Sequence, residues 1–199
     1  MKNEPMTSNS PDSTPAAQVE SMQVGGVALR IRPIEPQDDR RLVEFFNNLS
    51  PRSIYMRFFA PMKQLSAAMV ERLTRVDPQR HIALVALSRD DPGHPMLGVA
   101  RVIAQDDLRH GEFSIVVADA WQGRGIGAAL LQRCIDLAAR RGIQKIWGLV
   151  LVENTQMLAL GRKLGFTIQR SGGAEYELTI DVTAAAPETE RMVQRVPTL

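Results

Sequence analysis

Apolar and polar residues alternate along several short stretches of this chain, which is the pattern of half-buried β-strands. The first alternating stretch covers residues 27–34. Two more, at 81–88 and 96–105, are separated by a turn that is rich in Asp, Pro and Gly. A fourth covers 112–119, so the last three of these strands are expected to form a meander.

Helical segments are predicted between the first strand and the meander. Pro36 and the acidic residues after it suit the start of a helix, and the stretch to residue 50 carries a buried stripe. Residues 52–59 are rich in aromatic side chains and predict a second, short helix or a turn. Ser66 is a suitable N-cap for a third helix, which runs to Val76.

The chain after residue 120 predicts a helix, a strand, a second helix and a hairpin. Gly142 is placed to end the first helix, whose apolar face carries Ile126, Leu130, Cys134, Leu137 and Ala138. Residues 144–154 are almost continuously apolar, which predicts a strand buried on both faces. A short helix follows at 155–164, and a hairpin turns at Gly172 and Gly173. This order predicts an α/β or α+β fold, with a mixed, mostly antiparallel sheet flanked by helices.

Composition sets the expected domain organisation and removes several classes of function. The chain has 199 residues, of which 44% are hydrophobic, so one ordinary domain with tails is expected. We expect a disordered tail over residues 1–24, a folded domain over 25–182 and a second tail over 183–199. A net charge of +2 gives no argument for nucleic-acid binding. The single cysteine suits a reducing, cytoplasmic location, and no apolar run is long enough to cross a membrane.

Three glycines at alternate positions, Gly123, Gly125 and Gly127, connect the last strand of the meander to the next helix. A glycine-rich turn between a strand and a helix directs backbone N–H groups towards one point and favours a phosphate ligand. A P-loop is excluded because no Lys-Ser or Lys-Thr pair follows the glycines. A dinucleotide fingerprint is disfavoured because its third glycine is missing.

The remaining pattern, Gln122-x-x-Gly125-x-Gly127, resembles the acyl-CoA-binding loop of the GNAT family of N-acetyltransferases. Residues 153–166, ENTQMLALGRKLGF, resemble the second motif of that family. The similarity covers about residues 27–182 and implies the GNAT acyl-CoA N-acyltransferase fold. The segments SIYMRFF, GEFSIVVADAWQGRGIG and NTQMLALGRKLGF are most similar to the acetyltransferase domain of bacterial protein-lysine acetyltransferases.

This resemblance implies acetyl-CoA as the co-substrate and assigns expected contacts to it. The N–H of Val117 would donate to the thioester carbonyl, and Asn154 would contact the pantetheine arm or cap the following helix. The backbone of Ile115, Val116 and Val117 would bind the pantetheine arm. The pyrophosphate would bind the loop formed by Gln122, Gly123, Arg124, Gly125, Ile126, Gly127 and Ala128.

Glu112 is the candidate general base. A lysine amine with a pKa near ~10.4 must lose a proton before it can attack, and a carboxylate at the start of the central strand can accept it. Without the resemblance, a solvated glutamate at a strand start is the simpler interpretation, and the resemblance is what favours the base. Gly161 departs from the family, because many members have there a tyrosine that protonates the leaving thiolate. No general acid is therefore assigned.

The remaining reactive side chains have simpler interpretations. Cys134 lies on an apolar helical face, so a buried position is expected rather than a covalent acetyl-cysteine. The three histidines lack the spacing of metal ligands, and no metal is expected. The segment that contains Tyr55, Arg57, Phe58 and Phe59 either shapes the acceptor site or belongs to the core.

The sequence as a whole predicts a transferase that moves acetyl directly from acetyl-CoA to a primary amine, with a protein lysine as the expected acceptor. Two alternatives stay open. One is a small amine or an amino acid as the acceptor. The other is a non-catalytic sensor that binds acyl-CoA, which the glycine at position 161 keeps possible. The chain is expected to act as a monomer or a homodimer.

Overall fold

The computed structural model describes residues 20–183, which form one eight-stranded sheet in the order β1-β2-β3-β4-β5-β6-β8-β7. The strands are β1 (Glu20–Val24), β2 (Val27–Pro33), β3 (His81–Ser88), β4 (Met96–Ala104), β5 (His110–Val117), β6 (Lys145–Leu151), β7 (Thr167–Gly172) and β8 (Glu175–Asp181). The helices are α1 (Asp39–Asn47), α2 (Pro51–Phe58), α3 (Ala67–Thr74), α4 (Ile126–Arg140) and α5 (Thr155–Lys163). None of these helices is long and apolar enough to cross a membrane.

The sheet is mixed, as the sequence predicts. Every neighbouring pair of strands is antiparallel except β5 and β6, which are joined through α4 and run parallel. The C-terminal hairpin inserts β8 next to β6 and leaves β7 at the edge. The expected βαβ-like segment and the mostly antiparallel sheet are therefore both confirmed.

Helices cover both faces of the sheet, but to different extents. One apolar cluster joins α4 and α5 to the sheet and continues to the C-terminal hairpin through Leu178. The second cluster joins α1 and α2 to β3 and β4, with Phe46 and Val85 among its members. On this second face, helices α1 to α3 lie over the N-terminal half of the sheet.

The helix ends follow their predicted signals. Ser50 and Ser66 each accept a hydrogen bond from a backbone N–H of the first turn, so α2 and α3 both begin at a serine cap. Gly142 has a φ of 81° and lies just after the end of α4, as predicted. Before α1, the buried Asp38 accepts two 2.7 Å hydrogen bonds from Arg32 of β2, which fixes the start of that helix.

The N-terminal boundary of the domain differs from the prediction. Residues 20–24, expected to belong to the disordered tail 1–24, form β1, which pairs with β2 around Gly25 and Gly26. The Glu20 carboxylate also accepts a hydrogen bond from Arg133 of α4, at 2.8 Å from its Nε. A Gly-Gly turn between two valines is a hairpin signal, so the sequence did contain a pattern that predicts this strand. Residues 1–19 and 184–199 lie outside the described residues.

The expectation that residues 144–154 are buried on both faces is wrong. The strand ends at Leu151, and only Ile146, Gly148 and Val150 point into the first apolar cluster or its neighbours. Trp147 and Leu149, on the opposite face, are half-buried and belong to neither cluster. The second face of the sheet thus becomes more open beyond β5, because α1 to α3 lie over its N-terminal half.

Candidate active site

The central strands β5 and β6 diverge from each other. Their parallel ladder joins residues 110–112 to residues 145–147. Beyond it β5 continues to Val117 and β6 to Leu151 with no further pairing between them in the described sheet. The result is a wedge whose apex lies at Glu112 and which opens towards the glycine loop.

The packing of an aromatic ring accompanies this divergence. The Phe113 ring lies against Gly148 of β6, where a Cβ atom would come within 2.7 Å of the ring. The same ring contacts Phe166 with 5.1 Å between centroids. Because Gly148 has no side chain, the ring can occupy the space between the two strands on the side of α4 and α5.

The backbone of β5 offers hydrogen-bonding groups to the wedge. The N–H of Ala118 donates to the Leu97 carbonyl of the neighbouring chain segment at 2.9 Å. Because N–H groups alternate in direction along an antiparallel strand, the N–H of Val117 points the other way, away from β4. The Val117 carbonyl, which shares that direction, accepts a 3.0 Å hydrogen bond from the Gln122 side chain. The N–H of Val117, which is the expected oxyanion donor, therefore faces the wedge.

The glycine loop brings the start of α4 to the open end of the wedge. Gly123 and Gly125 have φ angles of 73° and 92°, a backbone region that L side chains rarely adopt. Gly125 is the N-cap of α4 and provides no side-chain cap for the first amides of the helix. Those amides and the helix dipole are therefore available to an anion such as a pyrophosphate.

A cleft of about 640 Å³ follows the wedge and the loop. Its size is within the range of ligand sites in proteins, and its walls come from α2, β5, the glycine loop and α5. Nine of the twelve residues expected to form the site line it: Ile115, Val116, Val117, Gln122, Gly123, Gly125, Gly127, Ala128 and Asn154.

The other three expected site residues lie outside the cleft lining. The Ile126 side chain is fully buried in the core, so this residue can offer a ligand only its backbone. The Arg124 guanidinium stacks over the Trp121 ring at 4.7 Å from the centroid. Glu112 is exposed at the apex of the wedge, beside the cleft rather than in its wall.

Arg57 of α2 connects Glu112 to the cleft. It lines the cleft and donates a 2.9 Å hydrogen bond to Ser114, two residues along β5 from Glu112. Burial lowers the pKa of Arg57, and the Glu112 carboxylate partly offsets this effect. Arg101 of β4 lies directly opposite Ser114, and burial together with Arg57 lowers its pKa to about 10. Two cations, both protonated at neutral pH, thus lie on one side of Glu112.

The sequence left open whether the aromatic residues of the α2 segment belong to the core or shape the acceptor site, and these residues differ from one another in burial. Phe58 packs against the second apolar cluster, and its ring lies 5.9 Å from that of Phe46. Tyr55 and Phe59 are 40% and 39% exposed, so a core position is wrong for both.

The second motif forms the wall opposite β5. Asn154 caps α5, because its side chain accepts a hydrogen bond from the Met157 N–H at 3.1 Å, which confirms the capping alternative. Gly161 is buried, and a Cβ atom there would lie 2.5 Å from the Leu178 side chain. The space next to position 161 is therefore filled by β8, and a larger residue there would displace it.

Two supports of the glycine loop were missed by sequence reasoning. The β1–β2 turn presses against the loop, since a Cβ on Gly25 would meet the Arg124 carbonyl oxygen at 2.4 Å. On the other side, Asp119 accepts hydrogen bonds from Ser50 and Ser53, which ties the loop to the start of α2. The Gln122 side chain joins this network through Ser53. These contacts link residues about 70 or 100 positions apart, so no local pattern could reveal them.

Cys134 lies in the core, as predicted. It is fully buried on α4, and burial raises the pKa of its thiol to about 12. The thiol is therefore neutral at physiological pH and a poor nucleophile. His110 starts β5 and pairs with Asp107 of the preceding turn, which lowers the pKa of Asp107 to about 2.

Comparison with known proteins identifies the class to which this site belongs. Residues 46–166 match the Acetyltransferase (GNAT) family. The chain therefore belongs to the GNAT family of acetyltransferases, as the two motifs indicated.

Individual relatives agree with this assignment. A protein of Pseudomonas aeruginosa named as an acetyltransferase is 34% identical over 152 residues, which cover 76% of this chain and 81% of the relative. The acetyltransferase Pat of Mycolicibacterium smegmatis is 30% identical over 136 residues, and the match covers 68% of this chain but only 40% of Pat.

Solved structures share the fold. The GNAT domain of S. lividans PAT superimposes with a TM-score of 0.75 at 32% identity, covering 82% of this chain and 96% of that domain. A Salmonella typhimurium protein solved with its cofactor acetyl-CoA gives a TM-score of 0.64 at 20% identity, covering 80% of this chain and 96% of that one. This second likeness shows the fold alone.

Proposed function

We propose that this enzyme transfers an acetyl group from acetyl-CoA directly to the ε-amine of a protein lysine. The observation that carries the proposal is the wedge between β5 and β6. It joins the uncapped start of α4 at one end to an exposed carboxylate, Glu112, at the other. A thioester held between them would present its carbonyl to an amine that arrives at Glu112.

Each element of the wedge has a proposed role. The amides at the start of α4 and the loop from Gly123 to Gly127 bind the pyrophosphate. The backbone of β5 binds the pantetheine arm, and the Val117 N–H donates to the oxyanion that forms during attack. Glu112 accepts the proton from the amine. The C–N bond then forms, the nitrogen releases its second proton to solvent, the C–S bond breaks, and CoA leaves as a thiolate.

The missing tyrosine does not prevent this reaction. Thiols have pKa values near ~8.5, so a thiolate is a reasonable leaving group without a proton donor. The core packing of Gly161 supports this, because no side chain at that position could act without displacing Leu178. We therefore propose no general acid in the chain.

The choice of acceptor draws on the relatives. This chain resembles the GNAT domain of S. lividans PAT, and a shorter match is an enzyme named as a ribosomal protein bS18 alanine N-acetyltransferase. The second name specifies an amine of a protein as the acceptor. An amino acid or another small amine is the competing acceptor.

The proposal is tested by pairing a binding assay with a transfer assay. Calorimetry measures the affinity for acetyl-CoA, and mass spectrometry follows label from acetyl-CoA into lysate proteins and a panel of small amines. We expect saturable binding and label on protein lysines. Label confined to small amines would reject the acceptor. Tight binding with no transfer to any amine would instead identify a non-catalytic acyl-CoA sensor.

A further inference from the structure

On the second face of the sheet, strands β6, β8 and β7 are covered neither by the helices nor by the walls of the cleft. Residues directly opposite each other in a sheet share a face. The residues that share this face are Lys145, Trp147, Leu149 and the buried Leu151 of β6, Glu175, Glu177, Thr179 and Asp181 of β8, and Thr167 and Gln169 of β7. None of them belongs to either apolar cluster, and Trp147 and Leu149 are only half-buried. We call this surface the open face.

The open face is continuous with the apex of the wedge. Glu112 lies directly opposite Trp147, Trp147 opposite Thr179, and Thr179 opposite Thr167. Neighbouring strands are ~4.8 Å apart, so the Trp147 indole lies next to the Glu112 carboxylate on the same face. A chain that delivers an amine to Glu112 from this direction must cross Trp147.

The charge of the open face favours a cation. Glu175, Glu177 and Asp181 all project from β8 on this side, and Lys145 lies at one end. Across residues 20–183, neither these two glutamates nor Glu112 takes part in an ion pair. On the opposite side of Glu112, Arg57 and Arg101 repel a cation. The electrostatic path to Glu112 therefore runs over β6 and β8.

We propose that the open face binds an extended, basic segment of the acceptor protein and that Trp147 positions the target lysine. This inference rests on the proposed function and narrows its substrate to a lysine with basic neighbours. The stem of the lysine lies along the indole, which also attracts the ammonium group through its π face. Basic flanking residues lie over Glu175 and Glu177. A small metabolite would leave most of this surface unused.

Docking can be measured without catalysis. The chain has two tryptophans, so Trp121→Phe leaves Trp147 as the only indole fluorophore. We expect its emission to change saturably on titration with an arginine-flanked lysine peptide that lacks tryptophan. The change should weaken as salt rises and disappear in Glu175→Lys/Glu177→Lys. The matched control is Glu71→Lys, an exposed charge change on α3, which should keep the signal.

Catalysis supplies a second, separate measurement. We compare kcat/KM for peptides with one lysine flanked by arginine, serine or glutamate, and for free lysine. We expect about tenfold preference for arginine over glutamate flanks at low salt, since exposed charge pairs contribute modestly. The variant Glu175→Lys/Glu177→Lys should abolish or reverse this order of preference. The milder Glu177→Gln should reduce it, which guards against misfolding of the double variant.

A single substitution tests the positioning role of Trp147. Trp147→Leu keeps an apolar side chain but removes the π face, so we expect a several-fold rise in the peptide KM with unchanged acetyl-CoA affinity. Equal rates for all flanks, or faster turnover of free lysine, would overturn the docking proposal. So would a dimer that Glu177→Lys dissociates, because the face would then be a homodimer interface. Peptide binding without any acetyl transfer would overturn the proposed function and leave docking standing.

Discussion

The two sides of β5 are assembled in different ways. The proposed cofactor side depends on a short stretch of consecutive residues, 122–128, in which Gly123 and Gly125 adopt positive φ angles and the start of α4 has no side-chain cap. The proposed acceptor side brings together Arg57, Glu112, Trp147 and Glu177, which come from a helix and three strands. A site built from neighbours in sequence leaves a motif. A site built by strand register does not.

The two sides of β5 also differ in how well they tolerate substitutions. The glycine loop has little freedom, because side chains at Gly25 or Gly125 would strain the backbone and press on their neighbours. The side chains of the open face belong to neither apolar cluster, so they can change with little damage to the core. We therefore expect substitutions on the two sides to separate cofactor binding from acceptor use.

The largest effect is expected at the apex, where the two sides meet. Glu112→Gln removes the proton acceptor but keeps the size of the side chain. We expect kcat to fall by about 10²- to 10⁴-fold, the usual contribution of a general base, with little change in the Kd for acetyl-CoA. Steady-state kinetics measures kcat, and calorimetry measures the Kd for acetyl-CoA. Glu71→Gln is the control, and unchanged turnover of the Glu112 variant at neutral pH would reject its role.

The next effect concerns the cofactor side alone. Gly125→Ala places a side chain at a φ of 92°, 3.2 Å from Val24, which costs about 1–2 kcal/mol or shifts the loop. We expect about tenfold weaker acetyl-CoA binding. Gly142→Ala is a matched control, since its φ is 81° and its surroundings are empty. Both variants should lower Tm, but only the first should change the Kd. Equal affinities would mean that the loop does not hold the ligand.

The contrast between the two sides also explains which features of the structure could be predicted from the sequence. Alternation and helical periodicity predict most of the elements, and the resemblance to the GNAT family predicts nine of the residues that line the cleft. The first strand was missed because Ser, Asn and Pro dominate the segment before it, although Val24-Gly25-Gly26-Val27 is a hairpin signal. Trp147 could not be placed beside Glu112, because the pairing of β5 with β6 is not a local property. The apolar run of β6 even suggested the opposite, full burial.

A smaller effect is expected where the acceptor side contacts α2. Arg57→Met removes the hydrogen bond to Ser114 and the cation near Glu112. As a positioning residue, Arg57 should affect kcat by about tenfold and leave the Kd for acetyl-CoA nearly unchanged. Arg57→Lys should restore part of the rate, because it retains the charge, and Ser114→Ala should cost less than Arg57→Met. Equal losses in kcat and in acetyl-CoA affinity would point instead to a collapsed cleft.

The smallest effect on activity is expected at Cys134, which belongs to neither side. Cys134→Ala should keep kcat within about twofold and cost about 1 kcal/mol of stability for the lost contacts. If this thiol carried the acetyl group, the variant would be inactive.

The pH dependence of stability gives an independent check on that thiol. Its pKa is about 12 in the folded protein and 9.0 is its ordinary value, so the unfolded chain loses the proton first as pH rises. Stability is therefore complete below pH 9.0 and should decline by about 1.4 kcal/mol per pH unit above it, until the folded thiol also ionises. Urea midpoints at several values of pH above and below this point should fall more steeply in the parent protein than in Cys134→Ala. Parallel curves would show that the thiol is accessible and ionises in the folded state, which would reopen the covalent route.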